Sequence, residues 1–217
     1  GALKLNQATN AVTVNWAAIS IDLDGDNTTD DFNVNVVADV DLIVDGDASI
    51  GFDDLLTVDG SFTLVQQDAD ATNVTSAPTM FAGAKALILN LTVAADGGNA
   101  SASGSLELIR VSNATQSWLG VEASNLDFGL DFAPVTLAVT NGALKLNQAT
   151  NASRVNWSVI NIGKNTVDVI DTVELEVSGD DSIGLDDILT EDGSLTLVQQ
   201  DAGSMATAFG TGAKALL

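Results

Sequence analysis

Histidine, cysteine and tyrosine are all missing from this 217-residue chain. Their absence removes imidazole bases, thiol chemistry, disulfides and the usual zinc or haem ligands. Any catalysis would fall to carboxylates, hydroxyls or a lysine, and the chain reads as a non-enzyme. Basic residues are also scarce: 7 Lys and Arg stand against 30 acids, 25 of them Asp, leaving a net charge of −23. A surface of that sign repels nucleic acid and anionic membranes, so neither is an expected partner. Long apolar runs are lacking too. The best window, 77–95, is broken by Lys85 and Asn90, so no segment of about 20 residues suits a bilayer and no membrane insertion is expected. Acidic, Lys-poor surfaces also suit high external salt, or divalent cations, which screen the self-repulsion.

Self-similarity is what the chain does have. GALKLNQATN at 1–10 returns letter for letter at 142–151, and both copies run on to Val-Asn-Trp at 14–16 and 155–157. IGFDDLLTVDGSFTLVQQDA at 50–69 returns at 183–202 with 16 of 20 positions identical. GAKAL at 83–87 returns at 212–216. The offsets fall from 141 to 133 to 129, so the second copy lacks eight residues in one connection and four in another. Residues 1–141 therefore read as one complete unit and 142–217 as the first half of a second, a window on a longer tandem array.

Alternation of period two predicts an all-β chain. Val34, Val36, Ala38, Val40, Leu42 and Val44 form an apolar, inward face, with Asn33, Asn35, Asp39, Asp41 and Asp45 outside. Val173, Leu175 and Val177 repeat the pattern, with Glu174 and Glu176 outside. Further strands are expected over 3–6, 12–21, 62–66, 84–93, 105–111, 118–123, 126–130 and 135–140. Short helical turns are expected only at 50–57 and 183–190. Asp59-Gly60, Ser103-Gly104, Asn141-Gly142 and Asp192-Gly193 each read as a tight turn that opens a strand. The expected architecture is an elongated tandem-repeat sheet, tube or solenoid built from antiparallel strand units. The alternative is a string of immunoglobulin-like β-sandwiches.

DLDGDNTTDD at 22–31 is the sharpest chemical motif. Asp22, Asp24, Asp26 and Asp30 place oxygens at positions 1, 3, 5 and 9 of a calcium loop, with Asn27 at the turn position. Position 12 is Asn33 rather than Glu, and the second copy reads INIGKNT instead, so a solvated acidic hairpin loop is the competing reading. A second acidic set comprises Asp45, Asp47, Asp53, Asp54 and Asp59, against Asp180, Asp181, Asp186, Asp187 and Asp192. Turn chemistry accounts for these more simply than metal. Asp53 and Asp54 as a hydrolytic pair is disfavoured, because neighbours on a strand point to opposite faces. Trp16 and Trp157 hold equivalent positions and, with Trp118, read as core anchors rather than sugar platforms, since only ten residues are aromatic. Seven N-x-S/T sequons, at Asn27, Asn73, Asn90, Asn99, Asn113, Asn151 and Asn156, would carry surface glycans in a glycosylating host.

The stretch SGSLELIRVSNATQSWLGVEASNLDFGLDFAPVTLAVTNGALKLNQAT at 103–150 resembles the very long β-strand-repeat surface and extracellular proteins of environmental bacteria. That resemblance implies an extracellular or cell-surface role in a sheath, fibre or adhesion, and brings no catalytic residues. Calcium-dependent adhesins are also similar, which bears only on Asp22, Asp24, Asp26 and Asp30. The expected function is a structural repeat region of a large extracellular filament, sheath or surface fibre, acting by repeat stacking and self-association. The alternative is a calcium-stabilised adhesin module that binds carbohydrate or protein.

Overall fold

The structure, a computed structural model, describes residues 1–8, 13–19, 36–52, 56–69, 79–97, 100–132, 135–163, 166–185, 189–201 and 214–216. Ten strands follow one another in chain order: β1 (Ala2–Leu5), β2 (Val40–Phe52), β3 (Leu56–Asp68), β4 (Lys85–Asp96), β5 (Ala100–Ser112), β6 (Ser117–Phe132), β7 (Val135–Thr150), β8 (Val173–Leu185), β9 (Leu189–Asp201) and β10 (Lys214–Leu216). Each pairs antiparallel with its predecessor, giving one open meander in the order β1 to β10. The chain is all-β, as its period-two alternation predicts. The described strands lie in one sheet, not in the paired sheets of a sandwich. No helix among the described residues is long and apolar enough to cross a membrane.

The strands are longer than the sequence suggests, because the expected turns are not turns. Gly60 lies mid-strand, opposite Ala48 and Val93. Gly104 sits at a register shift between β5 and β6, and Gly193 faces Asp181 within β9. At Asn141-Gly142 the backbone does take the left-handed conformation that such pairs favour, with φ of 54° at Asn141. One positive φ inserts a bulge and lets the strand continue, whereas a two-residue hairpin of type I′ needs two in succession. Asn125, at φ 51°, bulges β6 beside it. The strands expected at 118–123 and 126–130 therefore fuse into β6, and 135–140 fuses with the Asn-Gly segment into β7. A true turn lies between β5 and β6, where Asn113 Oδ1 accepts from the backbone amides of Thr115 and Gln116 at 3.0 and 2.9 Å.

Other expectations fail for equally local reasons. Residues 16–18 form a single 3₁₀ turn, as do 157–159, rather than strand. Of the segments expected to hold helical turns, 50–52 and 56–57 are the ends of β2 and β3, and 183–185 and 189–190 the ends of β8 and β9; residues 53–55 and 186–188 lie outside the described residues.

The core occupies one half of one face. Val65, Ala86, Ile88, Ile109, Val111 and Trp118 rise from β3 to β6 and meet Val36, Phe81, Val155, Trp157, Ile160 and Ile162 from the connections. The Phe81 ring meets Trp118 edge-on at 5.0 Å and stacks on Trp157 at 6.3 Å. Burying rings of this size is worth about 5 kcal/mol each in transfer free energy. Trp118 and Trp157 are thus core anchors, as expected, while Trp16 packs partly buried against the same cluster.

Candidate functional site

Asp22, Asp24, Asp26 and Asp30, the proposed calcium ligands, lie outside the described residues, as do Asp53, Asp54, Asp186 and Asp187. Among the acids that are described, alignment through the offset of 133 pairs Asp47 with Asp180. Asp59 and Asp192 match through the same offset. By that offset Asp45 corresponds to Ser178, and Asp181 to Ala48, so these two acids do not recur. Asp180 Oδ2 accepts from Asn141 Nδ2 at 3.1 Å across the β7–β8 ladder. No group of three acidic residues among the described ones is arranged to hold a metal.

Two asparagines organise the loops that cover the core. Asn6 Nδ2 donates to the Val14 and Val37 carbonyls at 2.9 and 3.3 Å, and Trp16 Nε1 donates to Asn6 Oδ1 at 3.2 Å. Asn147 repeats the arrangement: Nδ2 donates to the Val155 and Ile170 carbonyls at 2.8 and 3.0 Å. Val14 and Val155 are 141 residues apart, whereas Val37 and Ile170 are 133 apart. The clamp therefore straddles the eight-residue deletion and closes the loop at either length. Asn147 Oδ1 and Trp157 Nε1 are both buried without a partner. A Cβ on Gly120 would lie 2.7 Å from the Trp157 indole, so the second copy's tryptophan is seated on a bare patch of β6, a strand of the first copy.

The two faces of the sheet differ in chemistry. On the loop-covered face, the core gives way to a polar row across the strands: Asp45, Thr63, Asn90, Glu107, Glu122, Lys145 and Glu176. Lys145 approaches Glu122 at 3.5 Å and donates to the Asp168 carbonyl at 2.9 Å, while the Asp168 amide donates to Glu122 at 2.7 Å. A groove of about 640 Å³ beside it is lined by Asn147, Arg154, Asp171 and Glu174 among others. Arg154 is engaged there by the Asp171 carbonyl at 3.0 Å and by Glu174 at 3.4 Å.

The opposite face is aliphatic. One row reads Leu3, Val44, Leu64, Leu89, Leu108, Val121, Leu146 and Leu175, and the next reads Phe62, Leu91, Leu106, Ala123, Leu144, Val177 and Leu197. Neither row contains a charge. The neighbouring row mixes Gln66, Arg110 and Gln148 with leucines. Among the strands these rows contact only their neighbours in the sheet; Leu3 at the edge is 71 % exposed, Leu64, Leu89 and Leu108 are half-buried, and Leu195, opposite Gly179 beside the rows, is 62 % exposed. This corrects the sequence expectation for Leu42, Val44, Leu175 and Val177, which were assigned to the core. A register shift between Val40 and Leu42 carries Val40 into the core and leaves Leu42 and Val44 on the open face. The same shift between Val173 and Leu175 acts in β8.

Comparison of the chain with family models, curated proteins and solved structures finds no match to any of the three.

Proposed function

We propose that this chain is a structural repeat region of a large extracellular filament, sheath or surface fibre, working by repeat stacking and self-association. The observation that carries the reading is that both sequence copies contribute to a single sheet. Strands β6 and β7 pair directly, and Trp157 of the second copy rests on Gly120 of the first. Load applied along such an array would pass through backbone ladders and a shared core rather than through linkers. The acidic row on the loop-covered face and the net charge of −23 keep the assembly soluble.

Electron microscopy of the purified chain, in calcium and then in chelator, tests the reading. Continuous filaments with a regular axial repeat that survive chelation are expected. Monomers would overturn the reading. Beads that collapse without calcium would replace it with the adhesin, with Asp22, Asp24, Asp26 and Asp30 as ligands.

A further inference from the structure

A soluble monomer rarely leaves more than a few hundred Å² of continuous apolar surface open. The aliphatic rows on this sheet, taken with the mixed row beside them, exceed that. From strand spacing and rise, the two aliphatic rows cover about 500 Å², and the mixed row beside them, which runs from β1 to β7, brings the face to about 700 Å². Specific interfaces bury about 800 Å² on each partner.

We propose that this aliphatic face is an interface between two copies of the chain, packed face to face with their loop-covered acidic faces outward. The inference rests on the self-association reading and names the surface that performs it. Three observations select a second copy as the occupant. Two chains of net charge −23 repel one another on most approaches, and the aliphatic rows are where two copies can meet without opposing carboxylates. The area matches what a stable pair needs. The pattern is also self-complementary: Leu3, Leu5, Leu42 and Val44 recur as Leu144, Leu146, Leu175 and Val177, so leucine rows at one strand pitch face leucine rows at the same pitch. Two such sheets interdigitate about 10 Å apart, as aligned sheets do. The mixed row with Gln66, Arg110 and Gln148 then forms a polar margin, the usual rim of such an interface.

Sedimentation velocity over a concentration series tests the pairing, using the wild-type chain, Leu108→Asp and Ser61→Asp. Both substitutions lower the net charge equally, but Leu108 is central on the aliphatic face and Ser61 is exposed on the opposite one. The wild type and Ser61→Asp are expected to dimerise alike, and Leu108→Asp to associate at least about tenfold more weakly, because it buries an unpaired carboxylate. Leu108 lies outside the core, so near-ultraviolet tryptophan dichroism of that variant should match the wild type. If Leu108→Asp does not fold, Leu89→Gln provides the same comparison without a charge. Raising the salt concentration should tighten the wild-type dimer, since it screens only the outward faces.

A monomeric wild type would overturn the proposal, as would a dimer indifferent to Leu108→Asp and Leu89→Gln. So would wild-type monomers that bind phosphatidylcholine vesicles through this face, which would make its occupant a lipid surface. Filaments that persist in Leu108→Asp would sink this interface while sparing the fibre reading. Discrete dimers without filaments would do the reverse.

Discussion

The indole of Trp16 donates to Asn6 Oδ1 at 3.2 Å, and the equivalent atoms of Trp157 and Asn147 are buried but unpaired. The same two residues, ten apart in both copies, therefore differ in one hydrogen bond. In each, the asparagine amide still spans two carbonyls from opposite ends of a loop. Loop closure is thus the shared function of the pair, and the indole bond is an addition in the first copy.

A double-mutant cycle reads that difference. Asn6→Ala with Trp16→Phe should show a coupling of about 1 kcal/mol in urea unfolding. Asn147→Ala with Trp157→Phe should show coupling near zero from hydrogen bonding. Asn147→Ala alone should still cost about 2–3 kcal/mol, since it strands two carbonyls at a buried side chain. Asn147→Asp should cost more, because it sets a carboxylate against the same two oxygens.

The seating of Trp157 on Gly120 gives a second test. Gly120→Ala places a methyl 2.7 Å from a fully buried ring, and overpacking of that kind costs about 1–3 kcal/mol. Near-ultraviolet dichroism should change as the indole shifts. Unaltered stability and dichroism would mean that the tryptophan is not held against β6.

Lys85 links three strands through Asp41 at 2.8 Å and Asp68 at 2.5 Å. Burial pulls its pKa down, but the hydrogen bonds to Asp41 and Asp68 and their charges outweigh that, so it lies above the ordinary 10.5. A raised pKa means that the folded state holds the proton more tightly. The contribution is therefore complete below pH 10.5 and fades as pH rises through the folded value. Lys85→Met should be less stable than the wild type at pH 7, and the gap should close in strong alkali. High salt should also narrow it, because the ammonium is about half exposed. A gap constant from neutral to alkaline pH would contradict the ion-pair origin.

Much of the fold was legible in the residues. Alternation located most of β4 but only the second half of β3 and of β5, because Asp59-Gly60 and Ser103-Gly104 read as turns, and the recurring GALKLN and GAKAL segments mark β1 with β7 and β4 with β10. What alternation could not reveal was which face is covered. Val40, Leu42 and Val44 keep one period in the sequence, yet a bulge sends the first to the core and the other two to the open side. Asx-Gly pairs misled for a related reason, since a single left-handed residue permits a bulge as readily as it contributes to a turn. The asparagine clamp did leave a signal: Asn6 and Asn147 are identical polar residues closing an otherwise alternating apolar run. The aliphatic interface left none, because an apolar row reads the same whether the chain covers it or a second chain does.

The absence of cysteine makes the most direct measurement simple, because one introduced thiol is a unique label. A spin label at Val121→Cys reports the aliphatic face, and one at Thr92→Cys reports the opposite face, where Thr92 is exposed beside Ser61. Accessibility to a water-soluble paramagnetic quencher is then followed as protein concentration rises. The account predicts that the Val121 site becomes shielded while the Thr92 site stays open. Equal accessibility at both sites, or shielding at Thr92 alone, would contradict it.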